Sequence, residues 1–178
     1  VIGGKWSLML KDLNVHILEA SKKYCRSGEA MGTTFTGILF VGDQYVIAHV
    51  GDTRVYQITS DMKQLTTDQT FVAREVSRGT MTLEQALQDK RRNMLLQCVG
   101  ASDVVEPQVL TGKTVKGAYM LCSDGFRHEI TDREMYESLN PINLMNKKAM
   151  HSNAKYLIEQ VKSRQEKDNI SVVLIRAE

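Results

Sequence analysis

The sequence predicts an α+β fold in which helices cover antiparallel strands, and three observations predict it. Residues 6–25 carry apolar side chains (Trp6, Leu10, Leu13, Ile17, Ala20, Tyr24) at three- and four-residue steps, the stripe of an amphipathic helix. Residues 33–66 alternate short β-branched or aromatic runs with turn dipeptides. Two strongly apolar runs, 119–122 and 170–175, flank a stretch with helix-start signals.

The helix over 6–25 covers a sheet, and Gly28 and Gly32 bracket the loop that ends it. Strands then follow over 33–41, 45–50, 54–59 and 63–66, with turns at Gly42-Asp43, Gly51-Asp52 and Asp61-Met62. Such short connections imply three or four adjacent antiparallel strands. Residues 67–100 change character to short helices broken at Gly79, with Thr82 and Gln85 at capping-box spacing. A long polar excursion of this kind commonly borders a site. A strand over 104–110 holds Pro107, which favours an edge. Helices begin at Asp132, with Glu134 in the first turn, and run over 147–164, with Ala154, Leu157, Ile158 and Val161 facing inward.

A length of 178 residues with 42% hydrophobic and 25% charged residues describes one globular domain, with no internal repeat or linker. The net charge of +2 is too small for a nucleic-acid partner, and Lys90-Arg91-Arg92 reads as a solvated face or an anion contact. Cys25, Cys98 and Cys122 show no Cys-x-x-Cys spacing, which argues against zinc and a disulfide framework and suits a reducing, cytoplasmic compartment. No apolar segment is long enough for a bilayer and no signal peptide is visible.

The chemistry centres on acids. Asp52 follows a strand in Val50-Gly51-Asp52-Thr53-Arg54, Asp124 ends one in Ser123-Asp124-Gly125, and Asp168 opens one in Asp168-Asn169-Ile170. If these strand ends meet, the carboxylates repel unless a cation sits among them. A hard divalent ion with oxygen ligands, Mg²⁺ or Mn²⁺, resolves that. The bland reading stays open, since Asp-Gly is an ordinary turn dipeptide. His16, His49, His128 and His151 are scattered and form no zinc pattern, and only His128 stands near one of these acids.

Five stretches in order carry a family resemblance: Gly32-Thr33-Thr34; Ala48 to Tyr56; Leu65-Thr66-Thr67-Asp68 followed by Arg91-Arg92-Asn93; Leu121 to Phe126; and Asp168 to Val173. Over about residues 30–177 the chain resembles the metal-dependent serine/threonine protein phosphatases of the type-2C class, the PPM family, and its bacterial branch most. The resemblance implies a four-layer α/β/β/α sandwich of two antiparallel sheets between helices. It implies two or three Mg²⁺ or Mn²⁺ ions, with Asp124 and Asp168 as catalytic metal ligands, Asp52 as a ligand of a third ion, and Gly125 at the same metal site. Residues 67–98 become a flap beside the active site, with Arg91 and Arg92 facing substrate. The implied reaction is hydrolysis of phosphoserine and phosphothreonine in proteins by a water bridging two metals, with no protein nucleophile. The implied partners are phosphorylated targets of a serine/threonine kinase, and the protein is expected to be a monomer without membrane attachment.

The chain also departs from the pattern. The family's N-terminal part, with its metal-bridging aspartate and phosphate-binding arginine, is not found, and Gly3-Gly4 is the nearest trace of it. The expectation is a single phosphatase-like domain over 1–178 that lacks its N-terminal segment. Asp68-Gln69 stands where members often carry Asp-His, and Asp89-Lys90 where many bacterial flaps carry His-Pro. Two alternatives remain beside the enzyme: a catalytically inactive binding or regulatory module, and a phosphatase-like switch ordered by a partner.

Overall fold

A computed structural model describes residues 2–27 and 29–178. Val1, and Gly28 with its expected role in the loop, lie outside the described residues. In chain order the elements are α1 (Ile2–Tyr24), β1 (Phe35–Val41), β2 (Gln44–Val50), β3 (Arg54–Ile58) and β4 (Met62–Gln64). There follow α2 (Phe71–Ser77), α3 (Leu83–Gln88), β5 (Gln108–Lys113), β6 (Gly117–Cys122), α4 (Asp124–Arg127), α5 (Asp132–Leu139), α6 (Lys147–Ser163) and β7 (Val172–Ala177). The fold is α+β, as expected, with the strands in two antiparallel sheets and helices flanking them. The chain divides into two compact units, residues 1–52 with 67–112, and residues 53–66 with 113–178.

The first unit holds the three-stranded sheet, in the order β1-β2-β5. Gly42, at φ +59°, closes the two-residue hairpin that sets Val41 opposite Gln44. Helix α1 covers this sheet through Leu10, which joins Ala48, Val50, Val99 and Val105 in one core, with Trp6, Ile17 and Phe35 packed against it. Leu13 and Tyr24, expected on the inner stripe, are exposed, whereas Asn14 and Ser21 are buried. These polar side chains lie inside because each satisfies backbone: Asn14 accepts from the Gly100 N–H at 2.7 Å and donates to the Ser102 carbonyl at 3.0 Å, and Ser21 accepts from Met31 at 3.0 Å. Gly3 sits in the first turn of α1, where a Cβ would meet Val109 Cγ1 at 2.5 Å, so close packing accounts for it.

The second unit holds the four-stranded sheet, in the order β4-β3-β6-β7. The expected run of adjacent strands over 33–66 is therefore corrected: β1–β2 and β3–β4 pair within different sheets. The chain leaves the first hairpin at Gly51, whose φ of +110° bends it away from the antiparallel path. The start of the strand expected over 104–110 also moves, to Gln108, because Pro107 cannot donate to the ladder. β6 is the buried central strand. Its residues Ala118, Met120 and Cys122 form a core with Tyr56, Ile58, Phe126, Met135, Leu139, Leu157 and Val161. Helix α6 turns Leu157 and Val161 inward as its periodicity requires, and α5 opens on a complete capping box between Thr131 and Glu134, a device worth about 1 kcal/mol.

Candidate metal site

The second unit brings two of the expected acids together. In the β6–β7 pairing Cys122 stands opposite Val172, so the chain leaving β6 and the chain entering β7 meet at one end of the sheet. The Ser123 N–H continues the ladder to the Ser171 carbonyl at 3.0 Å. The Ser123 hydroxyl ties both segments, donating to the Asn169 carbonyl at 3.1 Å and accepting from the Ser171 N–H at 3.0 Å. Gly125 is required here by space. A Cβ on it would lie 2.6 Å from the Asn169 carbonyl oxygen and 3.1 Å from Asp168 Cβ. Phe126, fully buried, anchors the turn in the core.

Each aspartate spends one oxygen on its own turn. Asp124 Oδ1 accepts from the Gly125 N–H at 2.9 Å, and Asp168 Oδ1 accepts from the Asn169 N–H at 2.7 Å. The second oxygens keep their lone pairs for other partners. Asp124 is half-buried at the head of α4, and Asp168 is exposed. His128 lies one helical turn after Asp124, with Nε2 3.6 Å from Asp124 Oδ2. Its Nδ1 is 3.2 Å from Glu166 Oε2. Glu166 Oε1 in turn accepts from the N–H groups of Lys167 and Asp168 at 2.7 and 2.8 Å. The Asp168 amide, foremost, holds the Glu166 carboxyl below its usual range.

Asp52 belongs to the first unit, at the end of β2, and is 8% exposed. Its surroundings explain three of the motifs read in the sequence. A Cβ on Gly51 would overlap Thr34 Cγ2 at 2.4 Å, and one on Gly32 would meet Cys98 Sγ at 2.7 Å, so Gly32-Thr33-Thr34 and Gly51-Asp52 interlock. Thr33 and Val99 exchange backbone hydrogen bonds at 2.9 Å. Gln69 accepts from the Gly51 N–H at 2.8 Å through its side chain and donates its own backbone N–H to the Gly51 carbonyl. Burial, with the Asp52 charge second, pushes the Cys98 thiol up. His49 is buried between the Thr36 hydroxyl at 2.8 Å and the Thr67 carbonyl at 3.1 Å, and burial lowers its pKa.

The residues of the expected flap form α2 and α3, with the predicted capping box of Thr82 and Gln85 and with Gly79, at φ +72°, between the helices. Arg91 is held within this segment. It makes a two-pronged contact to Asp89 at 2.8 and 3.0 Å, and its guanidinium stacks 4.1 Å from the Phe71 ring centre. Arg92 is exposed and donates to the Leu87 carbonyl at 3.3 Å. Arg54, the last residue of the Gly-Asp-Thr-Arg stretch, donates to the Tyr56 hydroxyl at 2.8 Å, and burial pushes that phenol up to about 12.

Among the described residues no three His, Cys, Asp or Glu side chains converge tightly enough to hold an ion by themselves. Asp124 and Asp168 still fit a hard divalent cation, because Mg²⁺ is commonly bound through one or two carboxylates and keeps several waters. Sequence reasoning missed Glu166, since Lys162 to Lys167 reads as a solvated polar run.

Comparison with known proteins agrees with this geometry. No family model matches the chain. The serine/threonine phosphatase stp of Listeria innocua is 33% identical over 147 residues, 82% of this chain and 56% of that protein. The serine/threonine protein phosphatase PstP of Mycobacterium tuberculosis is 33% identical over 112 residues, 62% of this chain and 22% of that one. Among solved structures, serine/threonine phosphatase Stp1 from Staphylococcus aureus superposes with a TM-score of 0.87 at 26% identity, covering 98% of this chain and 67% of that chain. The chain resembles the bacterial serine/threonine phosphatases of the PPM family. A further similar structure is the catalytic domain of serine threonine protein phosphatase PstP in complex with 2 manganese ions, with a TM-score of 0.74 at 30% identity, covering 90% of this chain and 65% of that one. The chain spans about half the length of the Listeria relative it matches, 56%.

Proposed function

We propose that this chain carries the metal-binding part of a PPM protein phosphatase, and that the protein removes phosphate from phosphoserine and phosphothreonine in other proteins. The observation that carries this reading is the meeting of Asp124 and Asp168 at the end of the β6–β7 pair. Asp124 and Asp168 would hold Mg²⁺ or Mn²⁺ there, and the ion would supply Lewis acidity that activates water and neutralises phosphoryl oxygens.

The chain's own residues prepare that site. The turn hydrogen bonds of Asp124 Oδ1 and Asp168 Oδ1 fix each carboxylate and leave Oδ2 to bind. The Ser123 hydroxyl locks the two loops to each other, so the spacing of the acids is set before any ion arrives. Asp52 is proposed as a ligand of a further ion. Arg92, held by one weak contact, is the better placed of the two flap arginines to meet a phosphoprotein; Arg91 would first have to leave Asp89 and Phe71. The substrates are proposed to be targets of a serine/threonine kinase.

A second reading, a PPM-like scaffold without catalysis, is favoured by one observation: no third acid, His or Cys completes the cluster among the described residues. Hydrolysis of an aryl phosphate and of a phosphothreonine peptide, with and without Mn²⁺, separates the two. The enzyme reading expects Mn²⁺-dependent turnover that Asp124→Ala lowers at least a hundredfold. A loss of less than tenfold would sink it in favour of the scaffold.

A further inference from the structure

We propose that Glu166 is a positioning residue for both carboxylates of the metal site, an assignment that rests on the metal reading above. One carboxylate reaches toward both acids. Oε1 accepts the amides of Lys167 and Asp168 at 2.7 and 2.8 Å, which fixes the backbone that carries the Asp168 side chain. Oε2 takes His128 Nδ1 at 3.2 Å, and the same ring stands beside Asp124, its Nε2 3.6 Å from Oδ2. That last distance is too long for a strong hydrogen bond. The ring acts there as a wall that limits the swing of the Asp124 carboxylate, and Glu166 decides which way the wall faces.

The fold delivers Glu166 to this place deliberately. α6 ends with Gln165 N–H bonded to the Lys162 carbonyl and Glu166 N–H to the Val161 carbonyl. This is a Schellman-type termination, and it puts Gln165 at φ +68°, a position usually held by glycine. The residue before it, Arg164, is clamped to the Glu129 carbonyl at 2.7 Å and to the Glu134 carboxylate at 2.5 Å. The helix end is thus tied to the start of α5, and Glu166, two residues after Arg164 and largely buried, points at His128. Groups that orient metal ligands in this way typically change metal affinity 10–100-fold when removed.

The test uses the whole 178-residue chain, isotope-labelled and metal-free, followed by calorimetric titration of the same samples with Mn²⁺. Glu166→Gln keeps an oxygen for the two amides but turns an NH₂ donor toward His128 Nδ1. It should leave the Lys167 and Asp168 amide signals near their original positions, invert the ¹⁵N pattern of the His128 ring, and move the Asp124 carboxyl ¹³C signal. Glu166→Ala should move all of these and weaken Mn²⁺ binding about 10–100-fold. An Asp124 carboxyl signal unmoved in both variants overturns the assignment, as does Mn²⁺ affinity undiminished in Glu166→Ala when the unmodified chain binds. Failure of the unmodified chain to bind Mn²⁺ instead overturns the metal reading itself, and the positioning role with it.

Discussion

Two strand ends in this molecule carry the same local recipe, an aspartate next to a glycine, and they meet opposite surroundings. At the end of β2, Gly51-Asp52 is packed shut: the carboxylate is 8% exposed, Gly51 lies against Thr34, and Gln69 brackets the Gly51 amide and carbonyl. At the end of β6, Asp124-Gly125 opens beside a second aspartate that a partner strand delivers. The difference teaches that the dipeptide by itself specifies a turn and not its surroundings. In the proposed reading, what turns the corner after β6 into a metal-binding one is a second strand that brings another acid, and the polar bracket that holds both.

The two glycines give the sharpest way to break that contrast. Gly51→Ala combines a backbone at φ +110° with a 2.4 Å overlap on Thr34, and is expected to cost about 2–5 kcal/mol of stability. Gly125→Ala meets only the overlap with Asn169 and Asp168, and is expected to cost about 1–3 kcal/mol. Urea unfolding measures both, and calorimetry adds the decisive half. The Gly51 variant should keep the Mn²⁺ affinity of the Asp124–Asp168 pair, and the Gly125 variant should lose it although it is the more stable. The reverse order of metal loss would mean that the corners have been assigned the wrong way round.

A smaller effect tests the buried side of the comparison. His49 is held neutral by burial, so its folded pKa lies below the ordinary 6.5. The unfolded chain takes up a proton that the folded chain refuses. Stability should therefore be unaffected by His49 above pH 6.5 and should fall as the pH drops from there through the lowered folded value, by at most about 1.4 kcal/mol per pH unit. His49→Asn should remove that part of the slope in urea unfolding profiles. An unchanged slope would place the proton uptake elsewhere.

Much of this was legible in the sequence. The strand runs, the acids at their ends, Gly125 and the Thr82–Gln85 capping box follow from residue types and spacing, because each is a local rule. The split of 33–66 between two sheets was not legible, since short turns are compatible with either pairing and the backbone angle at Gly51 decides it. Asn14 and Ser21 were missed on the buried face of α1 because their partners, Gly100, Ser102 and Met31, lie in loops remote from that helical stripe. Glu166 was missed for a related reason. Its role depends on a left-handed Gln165 and on a histidine 38 residues earlier (166 − 128), neither of which leaves a periodic trace.

The most direct test of the central claim is the thermal shift produced by Mn²⁺ on this chain and on its Asp124→Asn, Asp168→Asn and Asp52→Asn variants. At about a hundred times the dissociation constant, a bound ion stabilises by about 2.7 kcal/mol, which raises Tm by roughly 5–10 °C in a chain of this size. The account predicts a saturable rise that Asp124→Asn and Asp168→Asn each abolish and that Asp52→Asn largely preserves. A rise that survives in both of the first two variants, or no rise in the unmodified chain, would contradict it.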